Sequence, residues 1–427
     1  MNGQNREIAP PSLCDAAHAQ DAATDAPSAF YFGLVAFSFF VIITGGGLPT
    51  PLYVVYQKLW GFSPAVLTIV FAAYAAGLLV VLVVFRRLSD RLGRKRVLTA
   101  GVLVALASTL VFLDAQNVTW LIVGRVLSGA SVGLTASTAS AALTEFEPSG
   151  NRERAARWIA VLTALGVGVG PFYAGVLIEY APDPLTLSFW VLLALLVAAL
   201  VAVLLIRERP RARPKPSPTS GGLFQIPRAI RPVFALSALA AFIGFSLAGM
   251  FSGLTPSFLG EDLRITNHAI GGAVVLLMFG SAAAAQELAL LRRRQAILRL
   301  GGILVPIGLA AIASAVWTGF ALPFFVGTVL CGGGFGLCLM GGLGLLNQVA
   351  PPQQRGEVLS AFYVAAYLGL SVPVVGIGIL ANFLGLPTAA VILSIILGLL
   401  SLGVIFSRSG PSDTRATPAG APGAAQR

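Results

Sequence analysis

The sequence predicts an all-α polytopic membrane protein with twelve transmembrane helices. Three observations carry that prediction. The composition is 56% hydrophobic and 11% charged, with a mean hydropathy of +0.86, outside the range of soluble domains. Twelve apolar runs are long enough to cross the hydrocarbon core, at roughly 20 residues per crossing of ~30 Å. Strongly basic loops alternate along the chain with loops that carry almost no cations. For segments of this length only helices satisfy the backbone in lipid.

The first run, 29–50, follows a tail (1–28) of disordered composition. It is too long for a signal-peptide core and is read as a retained helix. It ends in Gly45-Gly46-Gly47-Leu48-Pro49-Thr50-Pro51, where the prolines stop the span. The second run, 64–85, leads into 86–96, RRLSDRLGRKR, six cations and one Asp that cannot cross a bilayer. Asp90, alone among those cations, is placed to accept charge-assisted hydrogen bonds from Arg94 or from a neighbouring helix. The third run is 97–115 and the fourth 119–144. Arg125, about six residues and ~9 Å into the fourth run, is the one ionisable residue well inside a predicted span. A cation at that depth is costly and normally faces a cavity or a partner. Glu145 and Glu147 follow, within reach of Arg91 or Arg94.

The fifth run, 155–180, holds Gly166-Val-Gly-Val-Gly170-Pro171-Phe-Tyr-Ala174-Gly175. Its glycines permit close helix packing, and Pro171 removes one helical hydrogen bond. After the sixth run, 186–206, the Pro-, Ser-, Gly- and Arg-rich stretch 207–228 reads as an extended cytoplasmic linker. Six more runs follow at 229–255, 268–291, 297–318, 320–347, 357–382 and 386–407, before a second disordered tail, 408–427. The chain therefore divides into two six-helix halves, 29–206 and 229–407.

A shift of 203 positions lays Gly124-x-Val126-Leu127-x-Gly129 on Gly327-x-Val329-Leu330-x-Gly332. The same shift pairs Gly133 with Gly336, Pro148 with Pro351, Arg152 with Arg355 and Gly166 with Gly369. This reads as a parallel repeat of the two halves; coincidence between glycine-rich helices is the competing explanation.

The net charge of +11 does not indicate nucleic-acid binding, because the cations sit in alternate loops. Six lie in the 2–3 loop, three in the 4–5 loop, seven in the 6–7 connection and four in the 8–9 loop, whereas the opposite loops hold Lys58 and Arg264. That pattern places both termini in the cytoplasm. Cys14, Cys331 and Cys338 form no disulfide or metal spacing, His18 and His268 are isolated, and there is no Walker motif. No enzyme, cofactor or metal is expected.

Leu88-x-Asp90-Arg91-x-Gly93-Arg94-Lys95 resembles the signature loop between helices 2 and 3 of the major facilitator superfamily. Arg125-x-x-Ser128-Gly129 resembles its helix 4 motif, and the helix 5 glycines resemble the G-x-x-x-G-P-x-x-G-G motif of its drug and metabolite antiporters. The first-span Gly-Pro stretch is loosely similar to the helix 1 motif of that branch. Two departures stand out: Arg86 occupies the usual loop glycine, and Ser128 the usual Gln. The resemblance implies a fold of two rocking halves around a midplane site. It also implies a cytoplasmic gate of Asp90, Arg91, Gly93 and Arg94 with Glu145, and coupling through Arg125.

The implied activity is proton-driven efflux of small organic molecules from the cell inner membrane by a monomer, with the proton gradient as energy source. Import of a neutral or anionic metabolite by proton symport is the alternative, and a non-transporting membrane sensor a remote one. No Asp or Glu lies at the centre of a span, which favours neutral or anionic cargo. Glu145, Glu179 and Glu287 at span ends are the proton-carrying candidates. Expected cavity residues are Ser38, Thr44, Ser131, Thr135, Ser246 and Met250, with Tyr363 and Tyr367 four apart on one helix face.

Overall fold

A computed structural model of the chain describes residues 29–84, 92–206, 226–261, 265–290, 292–351 and 354–407. The two tails, most of the 207–228 connection and residues 85–91 lie outside them. Twelve helical segments among the described residues are long and apolar enough to cross a membrane. The helices are α1 (Ala29–Gly47), α2 (Leu52–Trp60), α3 (Pro64–Val84), α4 (Arg94–Leu113), α5 (Val118–Phe146), α6 (Arg152–Tyr180) and α7 (Pro184–Leu205). A 3-10 turn, Arg228–Ile230, then opens α8 (Arg231–Glu261), followed by α9 (His268–Leu288), α10 (Arg294–Thr318), α11 (Ala321–Val349), α12 (Arg355–Leu384) and α13 (Leu386–Phe406).

The first crossing runs past the end expected for it. α1 stops at Gly47, as Pro49 and Pro51 dictate, but α2 restarts at once and carries the segment on to Trp60. Pro51 stands at the N-cap of α2 with φ of −71°, where a missing N–H costs nothing. The span is thus a broken helix with a four-residue elbow rather than a helix and a loop.

Packing follows small residues, as expected where lipid removes the hydrophobic drive for helix association. α5 is the centre of the first six crossings, against α3, α4 and α1; α1 also packs on α6, and α4 on α7. Six crossings later the pattern recurs, with α11 against α9, α10 and α8, α8 on α12, and α10 on α13. Two pairings join the sets: α6 with α9, and α3 with α12. Gly175 meets the carbonyl of His268 in the first, and Gly378 meets Thr68 in the second, each so closely that a Cβ would collide. Both contacts lie at the end of the bundle opposite the basic loops.

Candidate functional site

Asn117 starts α5 by accepting hydrogen bonds from the N–H groups of Thr119 and Trp120 at 3.0 and 3.4 Å. Three turns later Gly129 lies directly on the backbone of Tyr74, and Gly77 of α3 lies on that of Val126. This crossing delivers Arg125 to the elbow of the first span. Its Nη1 donates to the Gly46 carbonyl at 2.7 Å. That carbonyl is available because Thr50 gives its N–H to Gly47, and Pro49 has none to give.

Three rings surround the guanidinium, Tyr74 at 4.8 Å and Tyr53 and Phe71 at 5.5 Å. Arg125 is 1% exposed. Neither ion pair among the described residues includes it. A buried charge of this kind is held by π faces and by the carbonyl end of α1. It is incompletely satisfied: Nε of Arg125, the Tyr53 hydroxyl and the Thr44 hydroxyl are buried without a hydrogen-bond partner among the described residues.

At the basic end, Gly93 precedes α4 with φ of 91°, a conformation that favours glycine. Arg94 then pairs with Glu145 and donates to the Ala141 carbonyl at 2.6 Å, tying α4 to α5. Asp90 and Arg91 lie outside the described residues. Glu147 turns inward to its own loop, accepting from the N–H groups of Ser149 and Asn151 at 2.9 and 2.7 Å, with Arg154 at 3.6 Å. Burial alone would raise its carboxyl; the hydrogen bonds and Arg154 outweigh that and hold it below the ordinary value. Glu179 caps α9 through the His268 N–H at 3.0 Å, and Glu287 is exposed.

The α6 glycines serve two neighbours. Gly166 and Gly170 lie on Ile43 and on the Thr44 carbonyl of α1, while Gly168 and Gly175 lie on Leu276 and His268 of α9. Pro171 sits between, its ring against Gly47 and its carbonyl against Gly272. One short segment therefore touches both the elbow and the opposite set of helices.

The family model for the Major Facilitator Superfamily matches residues 35–372. The chain belongs to that superfamily. Quinolone resistance protein NorA of Staphylococcus aureus is 26% identical over 143 residues, 34% of this chain and 37% of NorA. The facilitator therefore aligns with well under half the length of that relative. Multidrug resistance protein 2 of Bacillus subtilis is 24% identical over 312 residues, 69% of this chain and 75% of that protein. In three dimensions the fold resembles a crystal structure of a mutant of the nucleoside transporter NupG. The TM-score is 0.69 at 11% identity, covering 88% of this chain and all of that one.

Within this facilitator the expected cavity residues separate. Ser38 donates to the carbonyls of Leu34 and of Ala199 in α7, and Ser131 to that of Gly101 in α4. Thr135 bonds Ser131 in its own helix and presses its methyl on Gly101. Ser246 bonds its own helix at Phe242. These four are glue between or within helices. Met250 lines an apolar crevice with Phe251, Ile312, Phe324 and Ala390 among α8, α10, α11 and α13.

Tyr363 and Tyr367 keep partial exposure on α12. Tyr367 lies edge-on to Phe245 at 5.2 Å, and Phe335 contacts both Phe245 and Phe279 at 5.7 Å. The three phenylalanines and Tyr74 are not singled out by the sequence. Their available signal is position, each close to the middle of its apolar run.

Proposed function

We propose that the chain exports small organic molecules across the cell inner membrane in exchange for protons, as a monomer of two six-helix halves that rock about a midplane site. The observation that carries this reading is the placement of the Arg125 nest. It locks the broken first span to α3 and α5, and the α6 glycines reach from that elbow to α9. A change in charge state or occupancy near Arg125 is thereby connected to the interface that must open for transport. With the basic loops in the cytoplasm, the contacts at Gly175 and Gly378 close the outer end. The Staphylococcus and Bacillus relatives, named for drug resistance, support efflux as the direction.

The test is a pH-gradient assay in inverted vesicles challenged with neutral, anionic and cationic solutes, wild type beside Arg125→Ala. Solute-specific collapse of an inside-acid gradient that the variant lacks is the expected result. Collapse that survives in the variant would remove Arg125 from coupling. Solute uptake only in the opposite orientation would replace efflux with symport.

A further inference from the structure

We propose that Tyr74, Phe245, Phe279, Phe335 and Tyr367 form the cargo-binding face, and that it selects a flat aromatic molecule of neutral or anionic charge. The proposal rests on the transport reading above and names its substrate class.

Depth is the first argument. The five rings come from five helices, α3, α8, α9, α11 and α12, and each lies close to the middle of its own helix. They therefore share one level, where transporters of this architecture hold substrate. Origin is the second. Tyr74 belongs to the first six crossings and the other four to the last six. The helices of Tyr74 and Tyr367, α3 and α12, pack on one another across the sets. A molecule held here touches both moving sets.

Ring geometry is the third argument. Phe279–Phe335, Phe335–Phe245 and Phe245–Tyr367 meet at 88°, 76° and 74°. Successive rings are near-perpendicular, so a flat guest parallel to one meets the edge of the next, the arrangement aromatic rings prefer. Tyr74, Phe245 and Tyr367 are half-buried rather than sealed, and Phe279 and Phe335 are buried behind them.

Charge selection follows from what adjoins the rings. Arg125 stands 4.8 Å from the Tyr74 centroid. The described Asp and Glu residues lie at helix ends or in loops. A cationic guest would meet a fixed cation and no carboxylate; a carboxylate guest would be drawn toward the guanidinium. The backbone crossing alone does not require an aromatic at Tyr74, since Met278 offers its backbone to Gly332 as Tyr74 does to Gly129; the ring instead packs on Gly46 and faces Arg125.

The experiment is calorimetric titration of the purified full chain in detergent with three probes. They are anthracene-2-carboxylate, its fully hydrogenated analogue and N-methylacridinium. Anthracene-2-carboxylate should bind at least about tenfold tighter than either of the others. Tyr74→Met and Phe245→Leu should each weaken it about tenfold, Phe245→Leu while the ligand-free melting temperature moves little. Equal binding of the hydrogenated analogue, preference for the cation, unchanged affinity in both variants, or no binding by folded wild type would overturn the proposal. In vesicles, gradient collapse by non-aromatic solutes alone would sink the aromatic site and keep efflux. Binding without any gradient response would sink proton-coupled efflux and keep the site.

Discussion

In α5, Gly129 and Gly133 rest on the backbones of Tyr74 and Leu78; in α11, at the same spacing, Gly332 and Gly336 rest on those of Met278 and Ala282. Thr135 nests on Gly101 in the first set, and Cys338 on Gly301 in the second. Lys95 donates to the Leu204 carbonyl at the end of α7, and Arg299 to the Ser407 carbonyl at the end of α13, at 2.6 and 3.2 Å. One packing plan is thus used twice. It breaks inside the membrane where α5 carries Arg125: the 203-residue shift finds Thr328, fully buried and bonded to Phe324 of its own helix at 2.8 Å. The glycines maintain the architecture of both sets. Arg125 is an addition to one of them, and a charge at that depth normally faces a cavity or a partner.

The comparison breaks most visibly at its shared positions. Gly129→Val and Gly332→Val should each abolish folded protein, because a side chain at either site collides with backbone that cannot yield, at a cost above about 3 kcal/mol. Size-exclusion profiles of detergent extracts would show it. A Gly332→Val protein that remained monodisperse while Gly129→Val did not would end the claim of equivalence.

At the unshared position the two sets should part. Arg125→Thr, which gives α5 the residue of α11, should lower coupled transport about a hundredfold, the upper range of coupling between sites. Its melting temperature should change little. The Gly46 carbonyl loses its donor, at about 1–3 kcal/mol, but the cost of burying the guanidinium disappears as well. Thr328→Ala should leave transport within about twofold of wild type, since its hydroxyl serves its own helix. Vesicle assays on both variants, normalised to folded protein, decide between them.

A smaller effect belongs to the joints between the sets. Gly175→Ala and Gly378→Ala each insert a methyl where α6 meets α9 and where α12 meets α3. Each should shift the population toward the conformation open at that end, about tenfold for ~1.4 kcal/mol of strain. Spin labels at Lys58 and Thr266 should report a longer distance in both variants. A shift in one alone would show that the two joints are not equivalent.

How much of this could be read beforehand depends on the kind of interaction. The twelve crossings were legible because length and apolarity are local properties. The α5–α11 correspondence was legible because Pro and Arg keep register with the glycines. The elbow was not: Pro49 and Pro51 announce the end of a helix, and nothing local says that another begins at once. Arg125 was conspicuous as a buried cation, but its partners are a backbone carbonyl and three rings, and neither marks itself as the mate of a charge. Among 26 phenylalanines, those at mid-depth look like any others until the helices are assembled. Ser38, Ser131 and Thr135 illustrate the converse, since polarity in a span signals a hydrogen bond without saying whether a ligand or a neighbouring helix supplies it.

The smallest expected effect tests a loop that the two sets share by sequence, the connection after α5 and α11. Glu147 closes the first copy by accepting from Ser149 and Asn151, and its carboxyl is held below the ordinary value despite burial. The corresponding position of the second copy, Ala350, has no carboxylate to offer. A group whose folded pKa is depressed stabilises the fold above its unfolded value, near 4.3, and that contribution is lost as pH falls through the depressed one. Wild-type protein in detergent should therefore lose melting temperature below about pH 4, and Glu147→Gln should be less stable at neutral pH but flatter across that acid window. If both proteins show the same acid slope, the loop is held by Asn151 capping α6 rather than by Glu147.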